Sequence, residues 1–125
     1  MTKPSTHTLE QTARQAGYRV TSVERLRHNR WLLTLTDKAN TITLVLAQAR
    51  PLIGSADVQD LAEFARLRRP DAAILLAIGG AFSPSAHLTL SELRDRRMQL
   101  CIDLPPAAAP LVDEPRPRGI LFPSN

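Results

Sequence analysis

The stretch Leu44-Val45-Leu46-Ala47-Gln48-Ala49-Arg50 begins as an apolar strand and ends on an amide and a guanidinium two residues apart. Side chains in a strand alternate faces, so Gln48 and Arg50 point the same way as Ile42, Leu44 and Leu46. Thr43, Val45, Ala47 and Ala49 point the other way. An otherwise apolar face thus delivers a hydrogen-bonding amide and a fixed positive charge where the strand ends. The strand expected before it, "RWLLTLT" at 30–36, puts Trp31, Leu33 and Leu35 on one face. A plainer reading of the pair is packing: a long Arg stem covers apolar surface while its head reaches water, and Trp31 offers a ring on which Arg50 can stack.

These strands sit inside a regular order of elements. Residues 5–16 read as a helix, with Leu9, Ala13 and Ala16 at helical spacing, Ser5 or Thr6 as cap and Gly17 as left-handed stop. Tyr18–Leu26 is a β-rich run with imperfect alternation, "RHN" at 27–29 a break, and "DKAN" at 37–40 a turn before a strand over 41–49. Short links favour an antiparallel meander. Gly54 and Ser55 then open a helix carrying Val58, Leu61, Ala62 and Ala65 on one face and Asp57 in its first turn. Arg66, Arg68 and Arg69 lie at its end, and Pro70 stops it. "AAILLAI" at 72–78 is apolar throughout, the mark of a strand covered on both faces. Strand, helix, strand over this length is a crossover unit, expected to be right-handed. Ser83 with Pro84 starts a further helix, and 98–102 is a last short strand.

Bulk properties bound the classes of function. The 125 residues suit one domain with a real core. Only five residues are aromatic, so Leu, Ala, Val and Ile must fill it. The net charge is +4, and fourteen of the sixteen basic residues are Arg. That permits an acidic partner such as nucleic acid without requiring one, since an Arg bias equally reflects coding composition. The single Cys101 excludes an internal disulfide and reads as a small core residue. His7, His28 and His87 show no metal-ligand spacing. The N-terminus is polar and the longest apolar run too short to span a bilayer, so a soluble cytoplasmic protein with no membrane partner is expected. Six of the ten prolines lie in 105–125. The expected organisation is therefore a domain over 1–104 and a proline-rich tail over 105–125, in which "GILFP" at 119–123 is the sticky part.

The element order, and above all residues 44–90, "LVLAQARPLIGSADVQDLAEFARLRRPDAAILLAIGGAFSPSAHLTL", resemble the Mrr-type restriction endonucleases of the PD-(D/E)xK nuclease superfamily. Three features carry the resemblance: an apolar strand ending in a polar-x-basic triplet, a helix beginning with Val58 and Leu61, and an apolar strand running into Phe82-Ser83-Pro84-Ser85-Ala86. It implies an α/β restriction endonuclease-like core of helix, three-stranded meander, crossover helix and parallel strand, with a further helix and short strand. It also implies a site at which an acidic or amide residue and a Lys, two apart on one strand face, sit beside an Asp from the neighbouring strand. The carboxylates there hold a divalent cation, usually magnesium, which helps generate hydroxide and stabilises the charge of the transition state. A paired assembly, a homodimer, is implied as well.

The triplet positions fall on Gln48 and Arg50, and the expected Asp position falls on Trp31. A Gln is known at that place in the Mrr group. Trp, however, cannot bind magnesium, and Arg neither gives up its proton readily nor acts as a point charge. The expectation is a remnant site that does not cleave and needs no cofactor. Magnesium would matter only if carboxylates had migrated in, and Glu10, Glu24 and Asp57 are the candidates. Each has a duller reading, as solvated helix residue, exposed strand charge and first-turn dipole partner respectively. A second function class keeps duplex DNA and drops cleavage: Arg25, Arg27 and Arg30, with Arg66, Arg68 and Arg69, would neutralise phosphates without reading sequence. Arg94, Arg96 and Arg97 form a further basic group. No aromatic interleaving suggests single-strand stacking. A third class is an interaction scaffold, docking a protein partner through the tail or a sheet edge.

Overall fold

The structure, a computed structural model, describes residues 4–107. Helix α1 (Thr6–Gln15) starts at Ser5, whose hydroxyl accepts from the Thr8 amide while the Thr8 hydroxyl accepts from the Ser5 amide. This reciprocal cap satisfies two donors at the helix start. Gly17, at φ +99°, ends the helix in the left-handed region that glycine enters without steric cost.

Three antiparallel strands follow: β1 (Arg19–Arg27), β2 (Arg30–Thr36) and β3 (Ile42–Gln48). Two register shifts in β1, at Val20/Ser22 and Arg25/Arg27, explain its imperfect alternation. The β1–β2 turn is His28–Asn29, with Asn29 at φ 62°, which Asn tolerates through its short polar side chain. The β2–β3 turn is held by Asp37, whose carboxylate accepts from the amides of Ala39 and Thr41, 2.9 Å each.

The chain then crosses over. A two-residue strand β4 (Leu52–Ile53) leads into α2 (Ser55–Arg68), β5 (Ala72–Ala77), a second two-residue strand β6 (Ala81–Phe82), α3 (Pro84–Leu93) and β7 (Met98–Cys101). The main sheet runs β1-β2-β3-β5-β7, antiparallel from β1 to β3 and parallel from β3 to β7. β4 and β6 pair in parallel as a separate two-stranded sheet that the sequence pattern does not announce. Both are too short for any periodicity to reveal. Among the described residues, no helix is long and apolar enough to cross a membrane.

Each sheet face has its own core. On one face α1 packs through Leu9 and Ala13 onto Trp31, Leu33, Leu35, Val45, Ala47, Ile74 and Leu76. On the other, Val58, Leu61, Ala65 and Ala86 of α2 and α3 cover Leu32, Leu44, Leu46, Ala73 and Leu75. Cys101 packs against the α1-side core, where burial pushes its thiol pKa up, so it is a packing residue. Leu104 and Ala107 lie against the same core, and the Ala107 amide donates to the Ala16 carbonyl at 2.8 Å. The rest of the proline-rich tail, including "GILFP", lies outside the described residues.

The end of β3 is fixed by a close backbone approach. A Cβ on Gly80 would lie 2.0 Å from the Arg50 carbonyl oxygen, so only glycine fits. Gly79, at φ +69°, has open space around it. Gly80→Ala is therefore expected to destabilise the protein by about 3 kcal/mol in urea unfolding, as overpacking against rigid backbone does. Gly79→Ala should cost only about 1 kcal/mol, the penalty for a left-handed alanine. Equal destabilisation at the two positions would refute the steric account.

Candidate functional site

β3 is buried from Thr43 to Gln48, hydrogen-bonded to β2 on one side and β5 on the other. Its alternation sends Leu44, Leu46 and Gln48 to the α2 side, as the sequence indicates. Gln48 is fully buried. Its Oε1 accepts a long hydrogen bond from Arg50 Nη1 at 3.4 Å, and the same guanidinium nitrogen lies 3.2 Å from Asp57 Oδ1. Asp57 is buried in the first turn of α2, and its Oδ2 accepts from the Gly54 amide at 3.0 Å. Asp57 thus closes the helix start and holds Arg50 against Gln48. The fold brings this migrated-carboxylate candidate to the triplet. The other two lie elsewhere: Glu24 pairs with Arg68 at 3.0 Å, and Glu10 sits on α1, the helix covering the opposite sheet face.

The expected Asp position requires correction. Trp31 pairs with Ala47, and both belong to the α1-side core, so Trp31 does not face Gln48. The β2 residue opposite Gln48 is Arg30. A one-residue difference in register exchanges the two faces of a strand. Arg50 consequently engages Asp57 rather than stacking on Trp31. Arg30 is also not a free basic residue: its side chain is 9 % exposed, and its Nη2 lies 2.6 Å from Asp60 Oδ2 on α2.

The predicted basic residues separate. Arg25 and Arg27 are exposed at the β1–β2 turn, the end of the sheet that carries Gln48; there the Ala49 amide donates to the Asn29 carbonyl at 2.9 Å. Arg66, Arg68 and Arg69 lie where α2 turns into β5, and the Asp71 amide donates there to Ile42, at the other end of β3. Arg66 pairs with Glu63 and Arg68 with Glu24, while Arg69 takes the left-handed C-cap. Arg97 pairs with Asp95, and this contact holds the Asp95 carboxyl below the usual carboxylate range.

Three buried side-chain nitrogens lack a hydrogen-bond partner among the described residues: Arg30 Nε, Gln48 Nε2 and Trp31 Nε1. All three are donors, and all three cluster at the β2-entry, β3-exit end of the sheet. The acceptors near the triplet are Gln48 Oε1 and the Asp57 carboxylate, both engaged by Arg50. Among the described residues no group of three or more His, Cys, Asp or Glu side chains converges as a metal-ligand set.

This mixed sheet, with one helix on one face and the crossover helices on the other, is a restriction endonuclease-like, nuclease-type fold. Among solved structures it is similar to EndoMS in its apo form, with a TM-score of 0.60 and 13% sequence identity over 86% of this chain and 49% of that one. The likeness is one of fold, and the chain spans about half the length of that protein. No family model and no curated protein matches the sequence.

The Arg30–Asp60 pair is expected to be asymmetric. Asp60→Ala leaves a guanidinium buried without its counterion and should cost about 2 kcal/mol, whereas Arg30→Met removes the charge, keeps the stem and should cost much less. Urea unfolding of both variants checks this. A larger destabilisation for Arg30→Met would show that Asp60 is dispensable to Arg30.

Proposed function

We propose that this is an Mrr-type, restriction endonuclease-fold protein that binds duplex DNA weakly and without sequence preference, and that its remnant site does not cleave. The observation that carries this reading is the donor character of the site end. Arg25 and Arg27 stand exposed there, and the N–H groups of Arg30, Gln48 and Trp31 that lack an acceptor among the described residues lie buried at the same end of the sheet. The exposed guanidinium groups suit phosphate oxygens. A hard divalent cation needs oxygen ligands, and the carboxylate beside the triplet is already tied to Arg50 and the helix start.

The predicted basic set is accordingly narrowed to Arg25 and Arg27. Arg30 is committed to Asp60, and Arg66, Arg68 and Arg69 lie at the other end of β3. In fluorescence anisotropy with a DNA duplex, affinity should be about micromolar at low salt and vanish near physiological salt. Each phosphate contact contributes a slope of about −0.9 on a log–log salt plot. Replacing Arg25 and Arg27 together by Ala should flatten that slope by about 0.9 for each phosphate no longer neutralised, whereas Arg66→Ala with Arg69→Ala should leave it unchanged. The opposite pattern would move the interface to the far end. No binding even at low salt would favour the scaffold class, with a protein partner or a second copy as ligand.

Asp57 supports one competing reading, a magnesium-dependent endonuclease with a migrated carboxylate, because it lies at the triplet. We expect no nicking of plasmid DNA with magnesium. Cleavage abolished both by chelation and by Asp57→Ala would establish the competing reading.

A further inference from the structure

α2 buries Val58, Leu61 and Ala65 in the core it shares with α3 and the sheet. At 3.6 residues per turn, Leu67 stands about 200° round the helix from Ala65, and it is 64 % exposed among the described residues. A single apolar residue on a surface is ordinary. Leu67, however, borders a groove of about 260 Å³, which it lines together with Phe64, Arg30, Asp60 and Glu63. Phe64 is half-buried, and the Arg68 guanidinium lies 5.9 Å from the centre of its ring. Gln48, Arg50 and Asp57 take no part in this lining, so the groove is distinct from the triplet site.

The outer face of α2 is divided by sign. Asp60 and Glu63 precede Phe64, while Arg66, Arg68 and Arg69 flank Leu67, and all five charged residues are exposed. Within one chain Asp60 pairs with Arg30, Glu63 with Arg66 and Arg68 with Glu24. The last two pairs join exposed side chains and contribute little in water, so little holds them from exchanging partners.

We infer that this face of α2 pairs with the same face of a second copy of the chain, the two helices antiparallel about a two-fold axis, with Leu67 of each copy in the groove of the other. A two-fold contact must be self-complementary. In the antiparallel arrangement the acidic half of each helix meets the basic half of the other, and Glu63 of each copy reaches Arg66 of the other. In a parallel one like charge meets like, which opposes association. A uniformly acidic or basic partner would meet its own sign over one half, and a nucleic acid would meet the carboxylates at the groove. A second copy brings both signs in the required order together with the apolar side chain that fills the groove. A contact built on one helix face is small, and the pairing is therefore weak. It does not rest on the DNA-binding reading.

Sedimentation velocity of the full chain, at up to about 1 mM where weak association is still visible, is expected to show reversible, concentration-dependent dimers. Leu67→Asp should weaken the dimer about tenfold or more, the effect of losing a central apolar anchor, and its urea midpoint should match that of the unaltered chain because Leu67 is exposed. Glu63→Arg alone and Arg66→Glu alone set like charge against like at both ends of the contact, so each should be monomeric. An equimolar mixture of these two variants opposes unlike charges at both ends and should restore the dimer. A chain that stays monomeric at every concentration would overturn the pairing. A dimer that survives Leu67→Asp would place the contact on another face and overturn it equally. Loss of the dimer in Leu67→Asp without rescue in the mixture would overturn the antiparallel arrangement.

Discussion

β3 is the constraint on which the rest of the molecule depends. It is hydrogen-bonded antiparallel to β2 and parallel to β5, so it has no free edge, and six consecutive residues, Thr43–Gln48, are buried. A strand confined in this way cannot slip by one residue without carrying Leu44 and Leu46 out of one core and Val45 and Ala47 out of the other. Its exit is equally fixed, because the chain after Gln48 passes directly over Gly80. The position of Gln48, the reach of Arg50 and the start of α2 all follow from that single strand. Asp57 meets Arg50 because α2 must begin where β3 ends.

Much of this order is legible in the residues. The Ser5 cap and Gly17 stop, the "DKAN" turn, the Gly54–Arg68 helix and the uniformly apolar 72–77 strand are strong local signals, and the fold agrees with each. The features without a local signal have definite physical causes. β4 and β6 are two residues long and exist only because β3 and β5 end side by side; no pattern in Leu52–Ile53 or Ala81–Phe82 announces them. Arg30 reads as an exposed base because it follows a turn, but the partner that buries it, Asp60, is thirty residues away on α2. Long-range ion pairs leave no local trace.

The expectation that Trp31 stands at the site fails for a narrower reason. Alternation correctly places Trp31, Leu33 and Leu35 on one face, and Gln48 with Leu44 and Leu46. What alternation leaves open is register. The 37–41 turn pairs Thr36 with Ile42, and counting inward from it sets Arg30, not Trp31, opposite Gln48. The neighbour of the triplet is thus an arginine, and the donor excess of the site end is already written in the turn position and the strand lengths.

That excess also explains how the site end can remain compact without carboxylates on the strands. Arg30 and Arg50 bring two positive charges to the exit of β3, and α2 answers each with one acid, Asp60 and Asp57, three residues apart on adjacent turns of the helix. Strand cations and helix anions exchange the roles that the Mrr-type resemblance implies, where strand carboxylates face a bound cation. The exchange neutralises the guanidinium heads but does not satisfy every donor: Arg30 Nε and Gln48 Nε2 are buried with no hydrogen-bond partner among the described residues. The same imbalance recurs on the α1 face, where the buried Trp31 indole N–H has no acceptor among the described residues. The donor excess at this end therefore belongs to both faces of the sheet and does not hinge on any one arginine.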